Sequence, residues 1–508
     1  MSTAADDPTR VPPRPTGTTR VTLDGTGLTV AGLVRLADGA ATPDVPRAAL
    51  ERAGHAWRTA QRLAATGRLY GRGTGVGAQR SVAVDAADET GHGLRLLRSH
   101  AGGAGRPLPA RQIRAMLAVR ANQLLAGGSG IHPDFVHALT EALRLGVHPV
   151  VHEYGGLGTG DLTALAETGL TLIGERAWAT DDPTTPAAEP PGRLPAPVTL
   201  RPGDALALLS SNALTLGQAG LGCHRLDVLL RATHVVAALS LAAVSGSPEA
   251  YAAPLHALRP HPGAAHAAAE VRRVLGLPDR PHDGGGRRVQ DPYGFRAFPQ
   301  AHGCALDAAA HLRRTVEAEL NSPSENPLID TGSAAAHHHG GFYAAPLALA
   351  LDGCALALLG TARLSAARLA ALLRPDLTGL PAFLATGPAG SSGAMILEYT
   401  ANSALAELRS QAAAPASAGH AVLSHGLEEA ASFASQAARQ ALRAAEAYTT
   451  VLACELVAAV RALRLHPAPP PIPAYDTAAA DLPPGTEDRP LTADVARAGE
   501  LLPRLAQL

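Results

Sequence analysis

The chain contains no lysine, and all 43 of its basic residues are arginine. Without an ε-amine, no internal Schiff base to pyridoxal phosphate can form and no Walker A phosphate loop can be completed. Amine chemistry here must use another electrophile, or none. Cysteine is scarce too: Cys223, Cys304, Cys354 and Cys454 sit in apolar neighbourhoods and form no CxxC pair. They read as buried, reduced thiols, not as a disulfide framework. Aromatic residues make up only 3% of the chain and alternating apolar runs are short, so strand signals are few. The formal net charge of -1 gives no electrostatic case for nucleic acid or an anionic membrane. No apolar run reaches the roughly 20 residues that span a bilayer. The first twenty residues lack the apolar core of a secretion signal, so the expected location is cytoplasmic.

What the chain does have is length and an apolar, Ala/Leu/Arg-rich helical pattern. Its 508 residues are 46% hydrophobic and include 52 Gly and 41 Pro. Residues 1–18 are Pro-rich and read as a disordered tail. Spacing near i, i+3, i+4 and i+7 predicts helices over 46–66, 88–100, 109–125, 133–145, 161–177, 212–245, 248–276, 301–321, 343–372, 397–414 and 426–464. Gly- and Pro-rich breaks separate them. The expected fold is mainly α, with a smaller glycine-rich N-terminal part over 19–204 and a long central helical bundle over 205–465. A Pro-rich segment and a C-terminal helix follow over 466–508.

Several breaks carry more polar chemistry than a loop requires. "RLYGRGTGVGAQ" places Tyr70 ahead of four glycines, without the βαβ context of a dinucleotide site. "LRSHAGGAG" offers His100, a capping or core histidine as readily as a ligand. "VQDPYGFRAFPQAHG" gathers Gln290, Tyr293 and Arg296. A tyrosine can act as acid or base and an arginine can clamp a carboxylate. "NSPSENPLI" supplies Asn321 and Asn326 as helix-end and turn residues. His337, His338 and His339 are consecutive, which is not zinc spacing, and no metal is expected there. Glu428 and Glu429 read as residues of a helix start.

In their order along the chain these segments resemble the histidine and phenylalanine ammonia-lyase family, the aromatic amino acid lyases. "YGRGTGVG" is similar to Y-G-x-N-T-G-F-G, and "RANQLLAGGSGI" to R-A-N-x-L-x-x-G-x-S-G. "GLGTGDLTALAETGLTLIGE" resembles G-A-S-G-D-L-A-P-L-A-H-x-x-L-x-L-I-G-E. "VQDPYGFRAFPQAHG" resembles V-Q-D-P-Y-S-L-R-C-x-P-Q-V-x-G, and "NSPSENPLI" resembles N-S-x-x-D-N-P-L. The resemblance implies an ammonia-lyase-like fold and a homotetramer whose active sites draw on more than one subunit. It also implies a small-molecule substrate and a methylidene-imidazolone group made autocatalytically from Ala-Ser-Gly. Tyr70 falls on the catalytic base, Tyr293 on the acid or cofactor-pocket residue, and Gln290 and Arg296 on positions that bind the substrate carboxylate and shape the pocket. Phe342 falls on the aromatic beside the cofactor, while His100 and Glu428 fall on the substrate-contacting positions of the histidine-specific branch. A histidine-like substrate follows, because buried polar groups need partners.

The chain departs from the family where the group is made: Gly158-Thr159-Gly160 stands in place of Ala-Ser-Gly. Cyclisation and dehydration there would give an ethylidene, more hindered and more electron-rich than the methylidene. Alternatively Thr159 keeps its hydroxyl and caps the following helix or binds an anion. Gly73 replaces the family's Asn, and its active-site Asn maps to Ser210 by count or to Asn212 by type. These departures leave three readings open. One is ammonia elimination or a 2,3-amino shift, and another is cofactor-independent acid/base elimination, cyclisation or isomerisation. The third is a non-catalytic binding subunit.

Overall fold

In the computed structural model, residues 19–67, 69–180, 194–281 and 288–508 are described. The tail expected over 1–18 lies outside them. The fold is mainly α. Its strands form four two-stranded ribbons among the described residues: Arg20–Thr22 with Thr42–Asp44, Ala104–Pro107 with His152–Tyr154, Val147–His148 with Ala179–Thr180, and Leu328–Asp330 with Ala335–His337.

Two compact units form, neither contiguous in sequence. The first is formed by the described residues within 1–217, 317–343 and 423–427, and the second by those within 218–316, 344–422 and 428–508. At the centre of the first lies the helix Ala110–Leu125, buried along its whole C-terminal half and packed by Val30–Ala37, Arg47–Thr66 and Asp134–Leu145. Thr29 starts the helix Val30–Ala37 by accepting the Gly32 N–H on its hydroxyl. Asn321 joins two distant segments of this unit: its Oδ1 accepts the Leu28 N–H at 2.8 Å and its Nδ2 donates to Leu28 O at 2.9 Å.

The second unit is a bundle of the helices Ala345–Leu372, Ile396–Ala413 and Ala434–Leu465, with Thr492–Leu505 against the last. A fully buried ion pair crosses it. Arg368 Nε and Nη2 donate to the two oxygens of Glu455 at 2.6 and 2.8 Å, and Ser240 and Ser365 hydroxyls complete the carboxylate's shell. Such a pair is tolerated in an apolar interior because every lone pair is met.

Four expectations change. The continuous helix expected over 248–276 is three short ones, Pro248–Tyr251, Ala253–Ala257 and Pro262–Val274. Each has a proline in its first turn, where the missing N–H costs nothing and beyond which the preceding helix cannot run. The last long helix begins at Ala434, not near 426, because Phe433 and His425 both sit at φ +56°. Glu428 and Glu429 therefore belong to an irregular segment and start no helix. Cys223, Cys354 and Cys454 are buried, and burial pushes the last two thiols up to about 12, but Cys304 is exposed. Finally, two helical stretches, Asp204–Ala243 and Ala345–Leu372, are long and apolar enough to cross a membrane by length and composition. Their apolar windows are 78% and 56% buried in the protein, as core helices are.

Candidate active site

The segment Gly158-Thr159-Gly160 turns sharply into the helix Leu162–Leu172. Gly158 has φ +78° and Gly160 φ +108°, which side chains other than glycine's rarely permit. The downstream end is clamped. Gly160 N–H donates to Asn212 Oδ1 at 3.0 Å, and Asp161 N–H donates to Ser211 O at 2.7 Å. The buried Asp161 carboxylate in turn accepts the Thr215 N–H and hydroxyl, both at 2.8 Å. Asn212 Nδ2 donates to Phe342 O at 2.6 Å. One side chain therefore ties the glycine-rich turn to the loop carrying Phe342. The Thr159 hydroxyl makes no hydrogen bond among the described residues, and Asp161 is the N-cap residue of the helix, so the capping role expected for Thr159 is not what the fold uses.

These features fit a group made by cyclisation of the three residues. The flanking residues are small, the backbone is already curled, and the central hydroxyl has no structural role to lose.

In the same unit a small pocket is walled by Tyr70, Arg72, Ser210, Glu325, Asn326 and Ile329, among others. Tyr70 is held by its ends: Gly77 N–H donates to its phenol oxygen at 2.7 Å, and its own N–H reaches His338 Nε2 at 3.4 Å. His339 Nδ1 accepts the Gly341 N–H and its Nε2 donates to Glu325 O, so the histidine run serves to order this loop. Arg72 is buried, its Nη1 and Nη2 donating to Pro202 O and Gly130 O. Burial lowers its pKa against the field of Asp204. Burial likewise raises Asp204 to about 6, opposed by the N–H groups of His132 and Arg201.

Arg120, fully buried, supports the pocket from behind. It donates to Leu208 O and Ala207 O and pairs with Glu325 Oε1 at 2.8 Å, and Gln123 beside it accepts the Ser211 hydroxyl. The sequence reading missed Arg72, Arg120, Asp161 and Glu325 as site residues. A lone arginine inside "MLAVRANQLL" was the available signal, since a buried cation requires a buried partner.

Of the expected site residues, Tyr70 and Ser210 share this pocket, while Gly160, Asn212 and Phe342 are hydrogen-bonded together. His100 ends the helix Glu89–His100, its Nδ1 on Leu96 O at 2.9 Å, and is not in the pocket wall. Gln290, Tyr293, Arg296 and Glu428 belong to the second unit. There the turn at 291–295 is held from beneath. Arg368 donates to Gly294 O, Tyr251 to Phe295 O, and the Asp291 carboxylate accepts from Arg288 and Ser247. From this rigid base Tyr293 projects 65% exposed with Arg296 stacked 4.2 Å over its ring, and Gln290 is exposed beside them. Glu428 is half-buried.

The sequence profile of the aromatic amino acid lyase family matches residues 28–482. The chain is 35% identical over 501 residues to a histidine ammonia-lyase of Anaeromyxobacter dehalogenans, covering 94% of this chain and 98% of that one. Its fold is similar to that of the tyrosine aminomutase of Streptomyces globisporus, with TM-score 0.88, 28% identity and coverage of 96% and 97% of the two chains. It is also similar to the histidine ammonia-lyase of Trypanosoma cruzi, with TM-score 0.87, 27% identity and coverage of 96% and 95%.

Proposed function

The chain belongs to the aromatic amino acid lyase family, whose members are carbon–nitrogen lyases, and on that premise we propose that it removes or shifts the amine of a histidine-like aromatic amino acid or derivative. Family members carry a methylidene-imidazolone group made from their own chain, which when formed supplies the electrophile that activates the amine. In this chain Gly158, Thr159 and Gly160 would provide it, as the ethylidene form that threonine gives.

The observation that carries the reading is the clamp on this turn: Asn212 and Asp161 hold its exit while Thr159 remains uncommitted. Tyr70, fixed at the pocket wall by Gly77, is the base that takes the β-proton. Asn212 and Phe342 line the group, and Arg296 with Gln290 binds the carboxylate. Tyr293 is the acid or pocket residue, and His100 and Glu428 contact the side chain of the substrate.

Exposed apolar surface supports a homotetramer. Leu349, Gly353, Leu356 and Gly360 form one stripe of the helix Ala345–Leu372, with both leucines more than 60% exposed and open space before both glycines. Further copies of the chain would cover it and bring Tyr293 and Arg296 to a neighbour's site, in a cytoplasmic enzyme. Sedimentation of the purified protein tests this assembly.

Intact mass with peptide mapping across 145–176 tests the group. Ring closure between Gly160 N and Gly158 C loses one water and dehydration of Thr159 loses a second. A deficit of two waters at 158–160 supports the reading. The full encoded mass would turn the same pocket to cofactor-free elimination, cyclisation or isomerisation, or to binding alone.

A further inference from the structure

Glu325 is 1% exposed, and its two oxygens are treated differently. Oε1 is paired with Arg120 Nη1 at 2.8 Å, whereas Oε2 is buried and has no hydrogen-bond partner among the described residues. Arg120 cannot turn to serve it, because its Nε and Nη2 are engaged by Leu208 O and Ala207 O. Arg72, the other guanidinium at the pocket, has both terminal nitrogens on carbonyls. A buried acceptor left unmet costs about 1–3 kcal/mol, and more when charged. Native structures keep such an atom where something else supplies the donor.

The atom belongs to a residue in the pocket wall, with Tyr70, Ser210 and Asn326. The charges around the pocket balance: Glu325 against Arg120, and Asp204 in the field of Arg72. Such a pocket suits a zwitterion better than a net ion, and a carboxylate oxygen meets the zwitterion's ammonium, not its carboxylate. The sequence adds an independent point. Where the family-like motif N-S-x-x-D-N-P-L has aspartate, this chain has Glu325, one methylene and so about 1.5 Å longer.

We propose that Glu325 Oε2 accepts a hydrogen bond from the substrate's α-ammonium, making the pocket selective for an amine that bears N–H over a quaternary ammonium or a deaminated analogue. Glu325 is thus a specificity-determining residue of the Tyr70 pocket. This rests on the reading of that pocket as the amino-acid site.

Calorimetric binding to the full-length Tyr70→Phe protein, which suppresses turnover, tests it. The probes are L-histidine, L-tyrosine and L-phenylalanine, each with its deamino and Nα-trimethyl counterparts. The expected result is at least a tenfold preference for the free amino acid over both counterparts. Glu325→Asp should reduce it to threefold or less while the counterparts' affinities stay within twofold. Aspartate keeps the charge for Arg120 and is the motif's own residue, so this variant should fold even where Glu325→Gln does not, as its melting curve will show. An unchanged preference, or a parallel loss for all probes, assigns Glu325 a merely structural pairing with Arg120 and overturns the inference alone. If the Tyr70→Phe protein binds none of the probes, the reading of the pocket as an amino-acid site fails and the inference with it.

Discussion

Asn212 accepts the Gly160 N–H at 3.0 Å while donating to Phe342 O at 2.6 Å, so a single amide holds both the glycine-rich turn and the neighbouring aromatic loop. Replacing it with alanine leaves the buried Gly160 N–H without an acceptor, at a cost of about 1–3 kcal/mol. Asn212→Ala should lower the fraction of chains that show the two-water deficit at 158–160. Wild-type-like dehydration in that variant would remove Asn212 from the machinery.

Tyr70→Phe deletes the phenol oxygen that Gly77 fixes at the pocket wall. For a positioned base the expected loss in kcat is about 10²–10⁴-fold. Steady-state assays with aromatic amino acids check it, and full activity in the variant would mean that another group takes the proton.

Thr159→Ser should keep the two-water deficit and raise turnover, because the methylidene has neither the extra methyl's bulk nor its electron donation. Thr159→Ala, with no hydroxyl to lose, should show at most one water missing. Mass spectrometry distinguishes the three proteins directly.

Breaking the buried Arg368–Glu455 pair leaves a charge stranded, which costs about 3–5 kcal/mol. Arg368→Met should lower the melting temperature strongly and loosen the turn at 291–295, whose Gly294 carbonyl it holds. The double variant Arg368→Met with Glu455→Leu should recover much of the stability. Denaturation of both variants measures the difference.

Burial depresses the imidazole of His234 to about 4, with the nearby His266 and Arg273 adding to the effect and Glu270 opposing it. His302, its ring 4.7 Å away, is displaced in the same direction. A base whose folded pKa lies below its unfolded 6.5 contributes stability that is full above about pH 6.5 and is lost as the pH falls toward and through 4. For His234 alone this is about 3 kcal/mol. Melting temperature should therefore fall between pH 6.5 and 4, and His234→Leu should flatten that slope.

Helix type and approximate extent were legible from apolar spacing, as at Arg47–Thr66 and Asp134–Leu145, because a buried face must recur with the helical period. The ends at 248–276 and 426 were not. At the first, the prolines were visible but periodicity outweighed them. At the second, the left-handed Phe433 and His425 leave no compositional trace. The identities of Tyr70, Asn212 and the Gly158–Gly160 turn as candidates came from collinear motifs, whereas Arg120 and Glu325, 205 positions apart, looked like ordinary helix and turn residues.

By itself the sequence determined what this protein can be made of. An absent lysine closed off two chemistries, apolar periodicity required packed helices, and the order of its motifs carried the family. Tertiary structure alone decided which polar groups meet. Only there does Asn212 rather than Ser210 bond the turn, and do Thr159 and one oxygen of Glu325 find no hydrogen-bond partner among the described residues. Periodicity is a local property that neighbouring residues share, but a hydrogen bond between distant segments depends on where folding brings each one, and burial then sets its cost and its worth.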